Sequence, residues 1–405
     1  MSVESARLGD VASFIRGITF KPEDVVPLGT DGSIWCLRTK NVQSELDLSD
    51  VWAIDADFVK RAEQHLQEGD VLVSSANSWN LVGKCSWVPE LDSETTFGGF
   101  VTALRGDLDF VDRRYLYHWF SSPRTQTVVR SFSRQTTNIA NLDLRRCSEL
   151  AIPLPSLAEQ KRIAAVLDRV DTLRVKRREA ITLLDDLAQS IFLDMFGDPA
   201  SRSTQWDRKT IGELGAVVTG NTPPRAKSEN YGNGIEWIKT DNIRPPELNP
   251  SQAAEYLTTV GEKVSRVVPA EAILVTCIAG SPASIGNAAL AGRRVAINQQ
   301  INAFIPEGAL PRFMLEQIRV GKVLIQRKST GAMTGLVNKS QFSSISLLVP
   351  PVARQQEFVR RVERVDSARA RNVRHLATLD ELFNSLQHRA FSGTLWDHEA
   401  PGEAA

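Results

Sequence analysis

The chain has 405 residues, which is enough for two or three separate hydrophobic cores. Its 42% hydrophobic and 24% charged residues are those of an ordinary soluble protein, and no apolar run is long enough to span a membrane. The 48 basic and 48 acidic residues cancel, so net charge alone gives no indication of a nucleic-acid-binding protein.

The even balance hides an asymmetry between two parts of the chain. Residues 1–150 contain 16 basic and 21 acidic residues, whereas residues 199–350 contain 17 basic and 11 acidic ones. The four cysteines, at positions 36, 85, 147 and 277, stand singly, without the spacing of metal ligands or of a disulfide framework. Because no signal peptide is recognised either, we expect a cytoplasmic protein.

Residues 1–152 alternate short apolar runs with turn residues and predict a mixed α+β domain. Strands are predicted over 33–38 and 70–75, where apolar and β-branched residues are bounded by Gly and Asp. Residues 95–104 are predicted as one strand with a glycine bulge, and residues 115–130 as a helix broken by a proline.

Residues 153–199 predict one long helix with both ends marked. Ser156 and Glu159 have the spacing of a capping box at its start. At its end, Gly197 can adopt the left-handed conformation that closes a helix, and Pro199 cannot continue one. About 40 residues at 1.5 Å each give roughly 60 Å. Such a length predicts a spacer.

The rest of the chain repeats this order. Residues 200–349 form a second predicted α+β domain, and residues 211–220 match residues 8–17 in their pattern of apolar residues and glycines. Residues 350–395 predict a second long helix, and residues 396–405 a polar tail. The sequence therefore predicts a tandem duplication, with two similar scaffolds that carry different surfaces for two related recognition tasks.

Apolar residues in steps of three and four along both helices predict the narrow seam of a coiled coil, which needs a partner helix. We expect the two helices to pair with each other. The predicted pairing residues are Ile163, Val166, Val170, Leu173, Leu184, Leu187, Ile191, Phe358, Val365, Leu379, Leu382 and Leu386. Polar residues interrupt the seams at Arg177, Asn372 and His375, and we expect these to set the register.

No catalytic motif is recognised in the sequence. There is no phosphate-binding loop and no HExxH, and the five histidines lack metal-ligand spacing. We expect Tyr117-His118-Trp119 to be a packed helix face. The sequence thus predicts no catalytic residue and no metal, although a stand-alone enzyme with an unrecognised site stays open.

One stretch carries a resemblance to a known family. Residues 152–163 read Ile-Pro-Leu-Pro-Ser-Leu-Ala-Glu-Gln-Lys-Arg-Ile, and the helix that follows ends at Phe-Gly-Asp. Together with the Leu-Gly-Asp-Val at residues 8–11, they resemble the specificity (S) subunit of type I restriction–modification systems. The resemblance covers residues 8–393. Its second copy, at residues 349–356, is weaker, since it lacks the capping box and has Arg354 in place of the glutamate.

The resemblance implies two α/β target recognition domains, each reading one half of a bipartite, asymmetric DNA sequence. The two long helices are implied to pair as an antiparallel coiled coil with pseudo-twofold symmetry, to set the spacing of the two halves and to dock two modification (methyltransferase) subunits. Restriction (translocase/nuclease) subunits complete the implied complex. S-adenosylmethionine, ATP and Mg²⁺ belong to those partner subunits, and this non-catalytic subunit is implied to hold no cofactor.

Phosphate contacts give affinity and base-edge contacts give specificity, so the candidate DNA-binding residues are polar side chains in loops between strands. In the first domain they are Arg38, Thr39, Lys40, Asn41, Ser75, Asn77, Trp79, Asn80, Arg134 and Gln135. In the second they are Lys239, Thr240, Asp241, Asn242, Ser281, Gln299, Gln300, Lys328, Ser329 and Thr330. For each of them, a solvated loop or a satisfied turn is an equally good interpretation. The alternative function is a coiled-coil scaffold whose two domains bind proteins.

Overall fold

The structure is a computed structural model that describes residues 4–135, 139–201, 203–330 and 335–395. The chain forms two compact units, the first of Met1–Lys176 with Leu376–Ala405 and the second of Arg177–His375. Each unit contains one α+β domain, called a head below, and about half of each long helix. The predicted domain boundaries treated the helices as separate segments, whereas the structure divides each helix between the two units.

The elements of the first head occur in chain order. The strands are β1 (Ser5–Arg7), β2 (Ala12–Arg16), β3 (Val25–Val26), β4 (Ser33–Leu37), β5 (Trp52–Asp55), β6 (Val71–Ser74), β7 (Ala76–Asn77), β8 (Cys85–Trp87), β9 (Thr95–Phe97), β10 (Val101–Gly106), β11 (Ser133–Gln135), β12 (Ala140–Leu142) and β13 (Ala151–Pro153). The helices are α1 (Leu8–Val11), α2 (Arg113–Phe120), α3 (Pro123–Ser131) and α4 (Leu144–Ser148), and the first long helix is α5 (Leu157–Phe196).

The second head follows α5. Its strands are β14 (Arg208–Thr210), β15 (Gly215–Thr219), β16 (Tyr231–Ile238), β17 (Tyr256–Leu257), β18 (Arg266–Val268), β19 (Ile273–Thr276), β20 (Ile278–Ala279), β21 (Ala288–Leu290), β22 (Val295–Ile297), β23 (Ile301–Pro306), β24 (Gly335–Leu336) and β25 (Ser346–Leu348). Its helices are α6 (Thr259–Lys263), α7 (Pro311–Val320), α8 (Lys322–Gln326) and α9 (Lys339–Ser343), and the second long helix is α10 (Val352–Ser392).

The two heads share the order of their central sheets and three strands of their outer sheets, but the fourth outer strand lies at opposite edges: β3 beside β5 in the first head and β18 beside β22 in the second. Each has an antiparallel central sheet, in the order β2-β10-β6-β8 in the first head and β15-β23-β19-β21 in the second. Each also has an outer sheet, β3-β5-β4-β9 and β17-β16-β22-β18, in which one pair is parallel (β4 with β9, β16 with β22). The ladders β1-β13 and β14-β25 join the start of each head to its end. This common order confirms the predicted duplication.

The long helices complete the core of each unit. In the first unit, Leu167 of α5 and Phe383 of α10 belong to the same buried cluster as Phe120 of the head. In the second unit, the rings of Phe192 and Phe358, one from each long helix, lie 5.6 and 5.9 Å from that of Phe313 in α7. Burial of one such side chain contributes about 1.5–3 kcal/mol. A head without the helices would therefore expose part of its core.

The predicted long helices and their ends are confirmed. Helix α5 has 40 residues and α10 has 41. The amide of Glu159 donates to Oγ of Ser156 at 3.3 Å, which is the first half of the expected capping box. Gly197 and Gly393 follow the two helices with φ of +79° and +77°, the left-handed region that favours glycine.

The long helices run antiparallel where they meet within the second unit. Arg177 of α5 donates from Nη1 to Oδ1 of Asn372 at 3.1 Å, and farther along α5 Asp185 pairs with Arg369. Residues farther along α5 therefore contact residues earlier in α10. Arg177 and Asn372, two of the three predicted polar interruptions, thus contact each other, whereas His375 is exposed.

The buried stripe departs from the predicted seam. Ile163, Val170, Phe358 and Val365 are buried, and Val166, Leu184, Ile191, Leu379 and Leu386 are half-buried. Leu173, Leu187 and Leu382 are 42%, 41% and 44% exposed, so the prediction is wrong at these three. The three exposed residues fall at the same place in the heptad, and Leu167 and Val362, each one residue after that place, are buried in the cores of the two units. Contact with the heads therefore shifts the buried face of each helix by one residue. Phe383, one residue after Leu382, is buried instead.

One further expectation is corrected. Residues 95–104 are not one bulged strand, because β9 belongs to the outer sheet and β10 to the central sheet, and residues 98–100 connect them. The predicted break at Pro123 is confirmed, since α2 ends at Phe120 and Pro123 begins α3, where its missing N–H costs no hydrogen bond. The expected packed face of α2 is confirmed, since His118 is buried, its Nε2 lies 2.7 Å from Asp168 and its ring packs on Phe383.

A buried glutamine attaches each head to the start of the long helix that follows it. Oε1 of Gln160 accepts from the amide of Asp112, the N-cap of α2, at 2.9 Å, and Nε2 donates to the carbonyl of Pro155. Oε1 of Gln355 accepts from the amide of Leu310, the N-cap of α7, at 3.0 Å. Its Nε2 donates to Pro350 at 2.8 Å. The two residues are equivalent positions of the duplication.

The substitution Gln355→Ala should lower the free energy of unfolding by about 1–3 kcal/mol, because it leaves buried backbone groups without partners. Gln356→Ala is the matched control, since this neighbouring glutamine is exposed on the same helix. Urea denaturation of both variants measures the difference. Equal stability of the two variants would contradict the role given to Gln355.

Asp168 links α5 to the first head. Its carboxylate accepts from Nε of Arg114 at 2.9 Å and from His118 at 2.7 Å. Burial raises the pKa of Asp168, but the hydrogen bonds from His118 and Arg114 outweigh it and hold the pKa below its usual value. The contribution of the carboxylate to stability is therefore present above about pH 4 and is lost as the pH falls through the folded-state pKa.

The substitution Asp168→Asn should lower the thermal unfolding midpoint at pH 7, and the difference from the wild type should shrink as the pH falls below about 4. Midpoints measured from pH 3 to pH 7 test this, with Asp186→Asn, an exposed carboxylate on α5, as the control. A difference that stays constant over the whole range would show that the ionised carboxylate contributes nothing.

Candidate nucleic-acid interface

A tight turn follows the same outer-sheet strand in each head. In the first head, Oδ1 of Asn41 accepts from the amide of Arg38 at 2.8 Å, and its Nδ2 donates to the carbonyls of Asp47 and Asp50. In the second head, Oδ1 of Asn242 accepts from the amide of Lys239 at 2.9 Å. Both asparagines are buried. The prediction that they face DNA is wrong, because their amides hold the turn together.

The three residues that connect the outer sheet to the central sheet lie beside this turn in each head. They are called the crossover loop: Gly98-Gly99-Phe100 in the first head and Asn298-Gln299-Gln300 in the second. The amide of the first loop residue donates to the outer-sheet strand, to Leu37 at 2.9 Å and to Ile238 at 3.0 Å. The sheets on both sides therefore fix the position of the loop.

Further backbone bonds fix the crossover loops in the same way. The carbonyl of Phe100 accepts from the amides of Ser75 and Ala76 at 3.0 and 3.2 Å, and that of Gln300 accepts from Cys277 and Ile278 at 2.8 and 3.1 Å. Glycine is needed where another strand passes closely: a Cβ on Gly17 or on Gly220 would collide with the carbonyl oxygens of residues 97–98 or 297–298. The two heads thus hold one backbone and present different side chains on it.

In the first head the structure brings most of the candidates into one continuous surface. Thr39 and Lys40 lie on the turn beside the crossover loop, Ser75 is bonded to that loop, and Asn77 lies on β7. Strand β7 pairs with β12, which pairs with β11, the strand of Arg134 and Gln135. Trp79 and Asn80 are exposed on the turn after β7. The guanidinium of Arg134 is exposed and lies 3.4 Å from Asp143.

The second head arranges its candidates similarly. Thr240 and exposed Asp241 lie on the turn beside the crossover loop, where Gln299 accepts from Thr222 and Oε1 of Gln300 accepts from Asn298 at 2.9 Å. Ser281 follows β20, which pairs with β24. The backbone of Thr330 bridges to β24 at Leu336. The two residues before it, exposed Lys328 and half-buried Ser329, lie on the same segment.

Sequence reasoning missed a carboxylate that holds two cations in each head. Asp50 lies 3.2 Å from Nη2 of Arg38 and 2.5 Å from Nζ of Lys40. Glu255 pairs with Lys239 and lies 2.6 Å from Nη1 of Arg225. The hydrogen bond from Lys40 holds the pKa of Asp50 below its usual value, and those from Arg225 and Lys239 do so for Glu255. Both carboxylates are therefore ionised at neutral pH. Each carboxylate together with its two cations is called a clamp below.

Aromatic rings lie under the clamped cations. The guanidinium of Arg38 stacks 3.7 Å from the centroid of Trp52, and Nζ of Lys239 lies 4.8 Å from that of Trp237. The guanidinium of Arg225 also lies 5.0 Å from Trp237. Such cation–π contacts orient the charge as well as stabilise it. In sequence, Asp50 and Glu255 give no signal, because each stands ten or more residues from the cations that it holds.

A reactive thiol, a metal site and a membrane-spanning helix each have requirements against which the described residues can be compared. Burial raises the pKa of each of the four cysteines to about 12, so none of them is a reactive thiolate at neutral pH. The described residues contain no group of three or more His, Cys, Asp and Glu side chains placed to hold a metal ion. Among the helices described, none is long and apolar enough to cross a membrane.

Two heads with the same central sheet and crossover loop, each followed by a long helix and each carrying a different polar surface, define a tandem-repeat recognition protein. Residues 2–183 and 204–378 match the family model of the type I restriction modification DNA specificity domain. The chain therefore belongs to that family, as the sequence predicted, and the match does not favour the alternative of a protein-binding scaffold.

Two specificity subunits align with nearly the whole length of this chain. The chain is 26% identical to the type I restriction enzyme StySPI specificity subunit of Salmonella potsdam and 24% identical to the EcoKI specificity subunit of Escherichia coli K12. Each alignment covers 98% of this chain and 90% of the relative.

Solved structures show the same fold. The S subunit of a type I restriction–modification system from M. genitalium superposes with a TM-score of 0.58 at 15% identity, covering 96% of both chains. A chain from a study of complex assembly and conformational transition in the type I R-M system superposes with a TM-score of 0.57 at 17% identity. That match covers 97% of this chain and 98% of the other.

Removal of a clamp should free cations for DNA phosphates. The substitutions Asp50→Asn and Glu255→Gln should each raise affinity for non-specific duplex DNA and steepen the slope of log K against log salt by about one to two. Fluorescence anisotropy from 50 to 300 mM salt measures both quantities. Asp57→Asn, an exposed carboxylate of the first head, is the charge-matched control. An equal slope for Asp50→Asn and Asp57→Asn would contradict the clamp.

Proposed function

We propose that this chain is the DNA-reading subunit of a type I restriction–modification complex, in which each head reads one half of a bipartite, asymmetric target. The observation that carries the proposal is the crossover loop, where one backbone presents Gly-Gly-Phe in the first head and Asn-Gln-Gln in the second. A rigid backbone with exchangeable side chains is what two readers of different sequences require.

The long helices set the spacing between the half-sites in this proposal, and they dock two modification (methyltransferase) subunits. Restriction (translocase/nuclease) subunits complete the complex on double-stranded DNA in the cytoplasm. The contacts that support a fixed spacing are polar and specific within each unit. They include Arg177 with Asn372 and, in the first unit, Nε of Arg174 with Asp380 at 2.6 Å.

This chain contributes recognition and no catalytic step. S-adenosylmethionine, ATP and Mg²⁺ are assigned to the partner subunits. The clamped cations also indicate weak DNA binding by the isolated chain. Because Asp50 and Glu255 each neutralise one of the two cations that they hold next to the crossover loops, further phosphate contacts come from the methyltransferase subunits.

Co-expression with the modification subunits and genome-wide mapping of methylated positions test whether each head reads its own half of the target. Combining Gln299→Ala with Gln300→Ala should relax the second half of the methylated motif and leave the first half unchanged. Combining Thr39→Ala with Lys40→Ala should do the reverse. Gln356→Ala, on an exposed face of α10, should change neither half. The model of one head for one half fails if either double variant alters both halves, or if neither variant has any effect.

A further inference from the structure

The crossover loops differ in chemistry although they agree in backbone. Phe100 and Gln300 occupy the same place, since the carbonyl of each accepts from two consecutive amides that come directly after the equivalent strands β6 and β19. The side chain of Gln300 is a hydrogen-bonding amide, whereas Phe100 is a phenyl ring that is 64% exposed. The loop therefore presents an apolar group to solvent in one head and amides in the other.

An apolar hollow of about 460 Å³ opens beside Phe100. Phe20 and Trp52 line it with their rings 6.0 Å apart in an edge-to-face arrangement. The absent side chains of Gly98 and Gly99 keep it open, because a Cβ on Gly98 would lie 3.3 Å from the ring of Phe20. An exposed ring at the rim of an apolar hollow is suited to an apolar ligand group.

Charge beside the hollow indicates where that group comes from. Arg38 and Lys40, the two cations held by Asp50, also line the hollow. A ligand that enters here meets apolar surface and positive charge side by side. Duplex DNA offers this combination, because thymine carries a C5-methyl group on its major-groove edge and each nucleotide carries a phosphate. The other three unmodified bases carry no methyl group on that edge.

We propose that the first head recognises a thymine of its half-site through the C5-methyl group, which packs against Phe100 at the rim of the hollow. This inference rests on the proposed function and adds the chemical feature that the first head reads. Arg38 and Lys40 bind the neighbouring phosphate and hold the thymine in place. The second head reads its half-site at the equivalent loop by hydrogen bonds from amides and is indifferent to methyl groups there.

Deoxyuridine lacks only the methyl group of thymidine, so it tests the proposal directly. The complex of this chain with its modification subunits is titrated with target duplexes in which each thymine of the first half-site is replaced singly. One replacement should weaken binding by about fourfold, the factor that burial of one methyl group gives. The variant Phe100→Ala should bind the thymine duplex about as weakly as the wild type binds that deoxyuridine duplex, and it should no longer distinguish the two.

The variant Gln300→Ala is the matched control, and it should keep the full fourfold preference for thymine in the first half-site. The proposal is overturned if no position of the first half-site responds to loss of the methyl group, or if Phe100→Ala retains the preference. Because Phe100 is exposed, the variant is expected to fold, and retained methylation of the second half of the motif verifies that it does. Loss of sequence-specific binding by the wild type itself would instead contradict the proposed function.

Discussion

Each head depends on the three residues by which the chain passes from its outer sheet to its central sheet. Hydrogen bonds hold the backbone of the crossover loop to the outer-sheet strand and to the residues directly after β6 or β19, and the close approach at Gly17 or Gly220 leaves no space between the loop and the adjacent strand. A fixed backbone makes side-chain identity the only variable at this point. Different side chains in the two copies of the loop then change what is recognised without changing the fold. Reading two different sequences with one architecture requires this arrangement.

The long helices are part of the heads as well as connections between them along the chain. Phe192 and Phe358 complete the second core, and Leu167 and Phe383 complete the first, so each head needs residues from both helices. Gln160 and Gln355 add directional hydrogen bonds at equivalent places. This arrangement ties the orientation of each recognition surface to the helices, since a rotation of the head would break the buried contacts.

Short sequence motifs predicted the parts of the fold that interactions between residues near in sequence determine. Ser156 and Gly197 predicted the two ends of α5, and the repeated pattern of apolar residues and glycines predicted the duplication. The failures have long-range causes. Leu173 and Leu382 lie outside the buried stripe because contact with the heads decides the buried face of each helix. Asn41 proved structural, and Asp50 and Phe100 were missed, because their roles come from partners distant in sequence that only the folded sheets bring near.

The central claim is that two equivalent loops, held in one backbone conformation, carry the sequence specificity of the two heads. The structure of this chain with its modification subunits on cognate DNA tests it most directly. We expect residues 98–100 and 298–300 to lie against base edges in different half-sites, with the ring of Phe100 in contact with a thymine methyl group. Crossover loops that face solvent, with the bases contacted by another surface of the heads, would contradict it.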